Sequence, residues 1–285
     1  MSLSTPEHQN LPIAKHGTTC LPNPTIELRT DVAAIEAAYR ALISTPKGTA
    51  WLVATGALTN AALIFAEHPD LIEHLAGFSV MGGAIGDKFT DAPMGKVEGT
   101  DVTERFGNIT PWAEFNIYID PESAASLLEN PAIAAKTTLI PLDLTHNFLA
   151  TKDVQRALLY GFDRSDSDPA LTVDKAALEG APLVRRLFLE ILTFFASAYA
   201  SKFGITAGPP VHDLLAVAAA VAPECFTGHG NETFAIEVVT AESQRGRTKA
   251  RADQFGVRIP RVVTADRVWR TLEECLVSAE HGDSR

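Results

Sequence analysis

Short, nearly unbroken apolar runs alternate with longer amphipathic ones along most of the chain. The runs "TAWLVAT" (residues 49–55), "GFSVMGG" (77–83) and "TTLIPLDL" (137–144) have the length of buried strands and are bounded by Gly, Pro or polar residues. Between and around them, "DVAAIEAAYRALI" (31–43) predicts a helix, and "TNAALIFAEHPDLIEHL" (59–75) predicts a helix broken at its proline. A long helical region is expected over residues 174–203. It leads to "GPPVHDLLAVAAAVAPECF", then to C-terminal strands and a closing helix. Apolar strands alternating with helices predict an α/β fold: an open, mostly parallel sheet with helices on both faces. Residues 1–24 show no periodicity and are expected to be an irregular lead to an α/β domain over 25–285. The polar, Gly-containing segment 87–106 is expected to be a mobile loop.

One stretch breaks the apolar pattern. "GNITPWAEFNIYIDPESA" (107–124) sets Asn108, Glu114 and Asn116 among Trp112, Phe115 and Ile117, a costly neighbourhood for an unpaired charge. As an extended run it would turn Trp112, Glu114, Asn116 and Tyr118 to one face. That face meets either solvent, as a strand edge, or a ligand. Asp120, Pro121 and Glu122 then form a helix start, with Asp at the N-cap and Pro at the first helical position. Other polar groups fall at the carboxyl ends of predicted strands: Thr55, Gly82-Gly83, and Asp143 with Thr145 and His146. In open parallel sheets ligands bind outside those ends. His212 and Asp213 stand at a predicted helix start, where an acid is also an ordinary partner of the helix dipole.

Composition narrows the classes. A formal charge of -11 over 285 residues argues against nucleic acid or an anionic membrane as partner. The most apolar run, residues 214–223, is too short to span a bilayer. Three cysteines without close pairing and a polar first ten residues predict a reducing, cytoplasmic setting.

Taken in order, "ATGALTNAAL", "VMGGAIG", "GNITPWAEFNIYIDPESA", "IPLDLTH" and "PPVHDLLAVAA", with a weaker "TAESQRGRT", resemble the nucleoside hydrolase family, the inosine/uridine-preferring ribohydrolases. The resemblance implies cleavage of the N-glycosidic bond of purine and pyrimidine ribonucleosides. It implies that Asn108, Glu114 and Asn116 grip ribose hydroxyls and that His212 serves the leaving base. It further implies a calcium cofactor, with Asp213 and the main-chain carbonyl of Thr55 among its ligands. Imidazole titrates near neutrality, which suits His212 to protonating a departing base. For Asp143 and His146 a structural role is expected, and for Trp112 and Phe115 packing.

The sequence departs from the family at its start. The family's D-x-D-x-G-x-D-D cluster, which supplies most calcium ligands and the water-activating base, is not found, and "HGTTCLP" (16–22) stands for a longer motif. The expected fold therefore lacks N-terminal strand–helix units, leaving sheet edges exposed. The expected activity is a ribonucleoside hydrolase impaired in this chain. The alternative is a non-catalytic nucleoside- or ribose-binding or assembly protein. Homo-oligomerisation is left open.

Overall fold

The computed structural model describes residues 34–95, 106–168, 170–227 and 232–280. The irregular lead and the middle of the expected loop, residues 96–105, lie outside them. Among the described residues eight strands are formed: β1 (Trp51–Ala54), β2 (Gly77–Met81), β3 (Thr137–Ile140), β4 (Phe226–Thr227), β5 (Thr233–Val238), β6 (Thr248–Asp253), β7 (Val257–Arg258) and β8 (Val262–Val263). Six make one sheet in the order β1-β2-β3-β7-β5-β6, and β4 and β8 form a separate antiparallel pair. β1, β2, β3 and β7 run parallel, whereas β5 is antiparallel to both β7 and β6. The expected mostly parallel sheet is present, with an antiparallel margin built by the C-terminal strands.

Strand alternation sends side chains into two cores. Phe78 and Val80 of β2 and Leu139 of β3 pack on one face with Ile64, Phe65, Leu127 and Leu128 from the helices Thr59–Glu67 and Pro121–Leu128. Met81 and Ile140 turn to the other face. There they meet Leu215, Ala216 and Ala219 of the helix Asp213–Val221 and the stacked rings of Phe148 and Trp269. Each fully buried side chain of this size contributes roughly 1.5–3 kcal/mol. Ser79 is the polar exception in β2, and its hydroxyl donates to the Ala216 carbonyl at 2.7 Å. That bond offsets the cost of burying it and pins the helix Asp213–Val221 to the sheet. At the start of β2, a Cβ on Gly77 would lie 2.5 Å from the Trp51 ring, so only glycine lets the indole cover the backbone there. Among the described residues β1 is the sheet's edge, and all four of its residues are only half-buried.

Three expected elements are corrected. The extended run through Glu114 is instead a five-residue helix, Phe115–Ile119, capped by the Glu114 carboxylate, so the side chains follow a helical and not a strand period. The strand expected over 137–144 ends at Ile140. Pro141 removes the ladder donor, and Leu142–Thr145 turns into a helical loop. The helical region 174–203 is three helices, Lys175–Gly180, Leu183–Phe194 and Ala196–Phe203, interrupted at Ala181-Pro182 and at Phe195. The break before Asp70 and the Asp120-Pro121 helix start are as expected, with Asp120 accepting from the Ser123 amide at 3.0 Å.

Candidate active site beyond the parallel strands

Glu114 is 2% exposed and sits where β2 ends. Its carboxylate accepts from the Asn116 and Ile117 amides at 2.9 and 3.1 Å, which starts the helix, and from the Gly83 amide at 3.0 Å. Burial still dominates these three bonds and the Asp213 carboxylate adds to it, so the Glu114 pKa is pushed up to about 7. Asn116 is buried beside it and donates its side-chain amide to the Met81 carbonyl at 3.0 Å. Asn108 accepts from the Phe115 amide at 2.9 Å and hydrogen-bonds the Tyr199 phenol. The short helix thus holds Asn116, its cap Glu114 and, through the Phe115 amide, Asn108 of the preceding loop at the carboxyl end of β2.

His212 closes the other side. Its Nδ1 meets the Thr145 hydroxyl at 2.6 Å and its Nε2 the Tyr199 hydroxyl at 2.6 Å. Burial, with a smaller contribution from His146, lowers its pKa to about 3. This corrects the expected titration near neutrality: the imidazole is neutral at pH 7 and stands between two hydroxyl partners. His146 is buried among Tyr199, Phe203 and His212, bonds the Pro93 carbonyl through Nδ1 at 2.8 Å, and has a pKa lowered to about 4 by burial. Burial pushes the Tyr199 phenol up to about 12, so it stays a donor at every physiological pH. Asn108, Tyr199, His212 and Thr145 form one hydrogen-bonded series beside Glu114.

Tyr199 is the member that sequence reasoning missed. A phenol on the helix Ala196–Phe203 stands thirteen residues before His212, a spacing that no local rule connects. Trp112 packs as expected, edge-on to Phe106 and under the Arg247 guanidinium. Phe115 does not: it is 48% exposed, because the helical period turns it outward.

Asp213 opens the helix Asp213–Val221, which packs on β1, β2 and β3, and desolvation raises its pKa although the residue stays exposed at the rim. Thr55 follows β1 at the same sheet end and is exposed. Calcium takes six to eight oxygens, and these two residues offer two. Among the described residues no group of three or more His, Cys, Asp or Glu stands together. The described residues do not by themselves fit a calcium shell, and no step is derived through one.

A mixed, mostly parallel sheet covered on both faces, with polar side chains gathered beyond its strands' carboxyl ends, defines a ligand-binding α/β protein. The family model described as "Inosine-uridine preferring nucleoside hydrolase" matches residues 5–270, and the chain belongs to that family. It is 34% identical over 203 residues to the uridine nucleosidase of Saccharomyces cerevisiae, covering 70% of this chain and 49% of that protein. It is 32% identical over 223 residues to a probable ribonucleoside hydrolase of Dictyostelium discoideum, covering 74% and 55%. The chain thus spans about half the length of these curated relatives. Among solved structures, the purine-preferring ribonucleoside hydrolase from Gardnerella vaginalis shares the fold with a TM-score of 0.60 at 22% identity, covering 85% of this chain and 65% of that one.

Proposed function

We propose that this chain carries the sugar-binding and leaving-group side of a ribonucleoside N-ribohydrolase site. The observation that carries the reading is the convergence of Asn108, Tyr199 and His212 with Glu114 and Asn116 at one sheet end. In this reading Glu114 accepts from ribose hydroxyls and the two asparagine amides both donate and accept. These contacts hold the ring so that it distorts towards the ribosyl cation. As the glycosidic bond breaks, its electron pair goes to the base, water adds to the ribosyl cation, and the base takes up a proton through the Tyr199–His212–Thr145 series, which the proton lost by that water makes good. Calcium is the cofactor that the family resemblance implies, and when bound it would supply Lewis acidity at this sheet end. Asp213 and the Thr55 carbonyl are the oxygens this chain would bring to it.

A second reading, nucleoside binding without turnover, is favoured by one observation: among the described residues no group of three or more His, Cys, Asp or Glu could hold a metal ion to activate water. Loss of a water-activating base lowers turnover by about 10²- to 10⁴-fold. The setting of this chemistry is cytoplasmic in our reading. Cys225 and Cys275 are free thiols, and among the described residues no helix is long and apolar enough to cross a membrane.

Calorimetry and ribose release with inosine and uridine test both readings on the purified chain. The expected result is nucleoside binding that Glu114→Gln weakens roughly ten- to hundredfold, the worth of a charge-assisted hydrogen bond. Slow ribose release accompanies it. Folded wild-type protein that takes up neither nucleoside ends the hydrolase reading. Release at a rate that calcium strongly stimulates ends the binding-only one.

A further inference from the structure

On the far side of the turn after β2 lies a cavity of about 410 Å³, between that turn and strands β5 and β6. Lys88, Arg247, Lys249 and Arg261 line it together with Phe89 and Phe234. Among the described residues Asp87 is the single acid in its wall, within a chain whose formal charge is -11. The acids that meet these cations leave room for another anion. Arg247 stands 3.6 Å from Asp87, whose side chain is 75% exposed, and its Nε is buried without an acceptor among the described residues. Lys249, half-buried, pairs with the exposed Glu237 at 2.8 Å. Arg261 is fixed more firmly, over the Phe89 ring at 3.9 Å and on Glu232 at 2.8 Å.

The backbone at the cavity's rim is unusual. Gly86, Asp87 and Lys88 follow one another at φ of 70°, 51° and 62°, two of them carrying side chains. Left-handed conformations of this kind persist only where the surroundings over-determine them, and they cluster at ligand sites. Here the Asp143 carboxylate holds the Ile85 and Gly86 amides at 2.8 and 2.9 Å, which fixes the turn that carries Lys88 to the rim.

The geometry points to a binding site for a phosphomonoester in this cavity. The phosphate dianion is taken by Arg247, Lys88 and Lys249, and its organic body lies against Phe89 and Phe234. Guanidinium forks match phosphate oxygens, lysines add point charge, and the volume suits a small molecule. The assignment does not depend on the hydrolase reading, because neither Glu114 nor His212 lines the cavity.

Titration calorimetry at constant ionic strength, with inorganic phosphate and phenyl phosphate as probes, tests it on the 285-residue chain. Both probes should bind, phenyl phosphate more tightly. A Lys88→Ala/Lys249→Ala double variant should weaken both by about tenfold or more. In the wild type, phosphate should also slow hydrogen exchange at Asp87 and Lys88, a readout that requires no variant. No heat and no exchange protection in the wild type would overturn the site, as would unchanged affinity in a folded double variant. Equal affinity for the two probes would overturn the part given to the aromatic wall.

Discussion

Two buried carboxylates, Glu114 and Asp143, hold the same turn by the same device and end up with different work. Each is at most 2% exposed, and each accepts backbone amides from the turn that follows β2: Gly83 for Glu114, Ile85 and Gly86 for Asp143. Burial raises both pKa values, to about 7 and about 6. Their second neighbours differ. Asp143 feels the Arg261 guanidinium, and its own carbonyl takes the Thr90 hydroxyl, so its surroundings are those of a brace. Glu114 feels the like charge of Asp213 and shares its end of the sheet with Tyr199. A buried acid braced by amides is structural when its remaining neighbours are backbone and cation. It is a candidate for chemistry when they are other titratable side chains.

Removing the brace is expected to have the largest effect. Asp143→Ala leaves the buried Ile85 and Gly86 amides without an acceptor, which costs roughly 2–6 kcal/mol in all. Urea denaturation should show the loss, with Asp143→Asn intermediate because one oxygen remains to accept. If Asp143→Ala unfolds at the wild-type midpoint, the turn is held by something else and the contrast with Glu114 fails.

How far this pair could be seen in the sequence follows from what each residue depends on. The order of β1, β2 and β3, the Asp120 cap and the gathering of Asn108, Glu114, Asn116 and His212 all rest on short-range patterns or on motifs, and these were legible. The helix Phe115–Ile119 was not. At five residues it is too short for any periodicity, and it exists because Glu114 caps it while Gly83, distant in sequence, shares the carboxylate. The end of β3 was not read either: the apolar run through Leu142 and Leu144 reads as continuous strand, although Pro141 cannot donate to the ladder. Tyr199 joins the site only through helix packing, and the neutral state of His212 depends on burial that sequence does not display.

The two acids also set a pH dependence that sharpens the comparison. A carboxyl whose folded pKa is raised stabilises fully below its unfolded value and loses that contribution as pH rises through the folded one. For Glu114 the window runs from 4.5 to about 7, and for Asp143 from 3.8 to about 6. His212 and His146 do the opposite. With folded values lowered from 6.5 to about 3 and about 4, their contribution is present above 6.5 and lost as pH falls. Between pH 4.5 and 6 the two acids hold protons that the unfolded chain releases, and the two histidines lack protons that it binds. These four groups cancel, and their joint contribution to stability should be nearly flat. Glu114→Gln removes one descending arm, so stability should then rise relative to wild type by roughly 1.4 kcal/mol per pH unit across that window. Denaturation midpoints measured at several pH values decide it. Parallel profiles for the two proteins would mean that Glu114 titrates normally and that burial does not set its charge.

The smallest expected effect separates the two acids through a neighbour. Tyr199→Phe removes the hydroxyl on His212 Nε2 and the partner of Asn108 while keeping the ring stacked near Phe203. The net worth of such a bond is about 0.5–1.5 kcal/mol, so stability should fall only by that much. The change lies on the Glu114 side of the sheet end, and Asp143 has no hydrogen bond to it among those described. Nucleoside affinity should therefore drop, whereas hydrogen exchange at Ile85 and Gly86 stays at wild-type rates relative to global stability. Faster exchange confined to those two amides would show that the brace and the candidate active site act as one unit. The division between a structural acid and a site acid would then have to be given up.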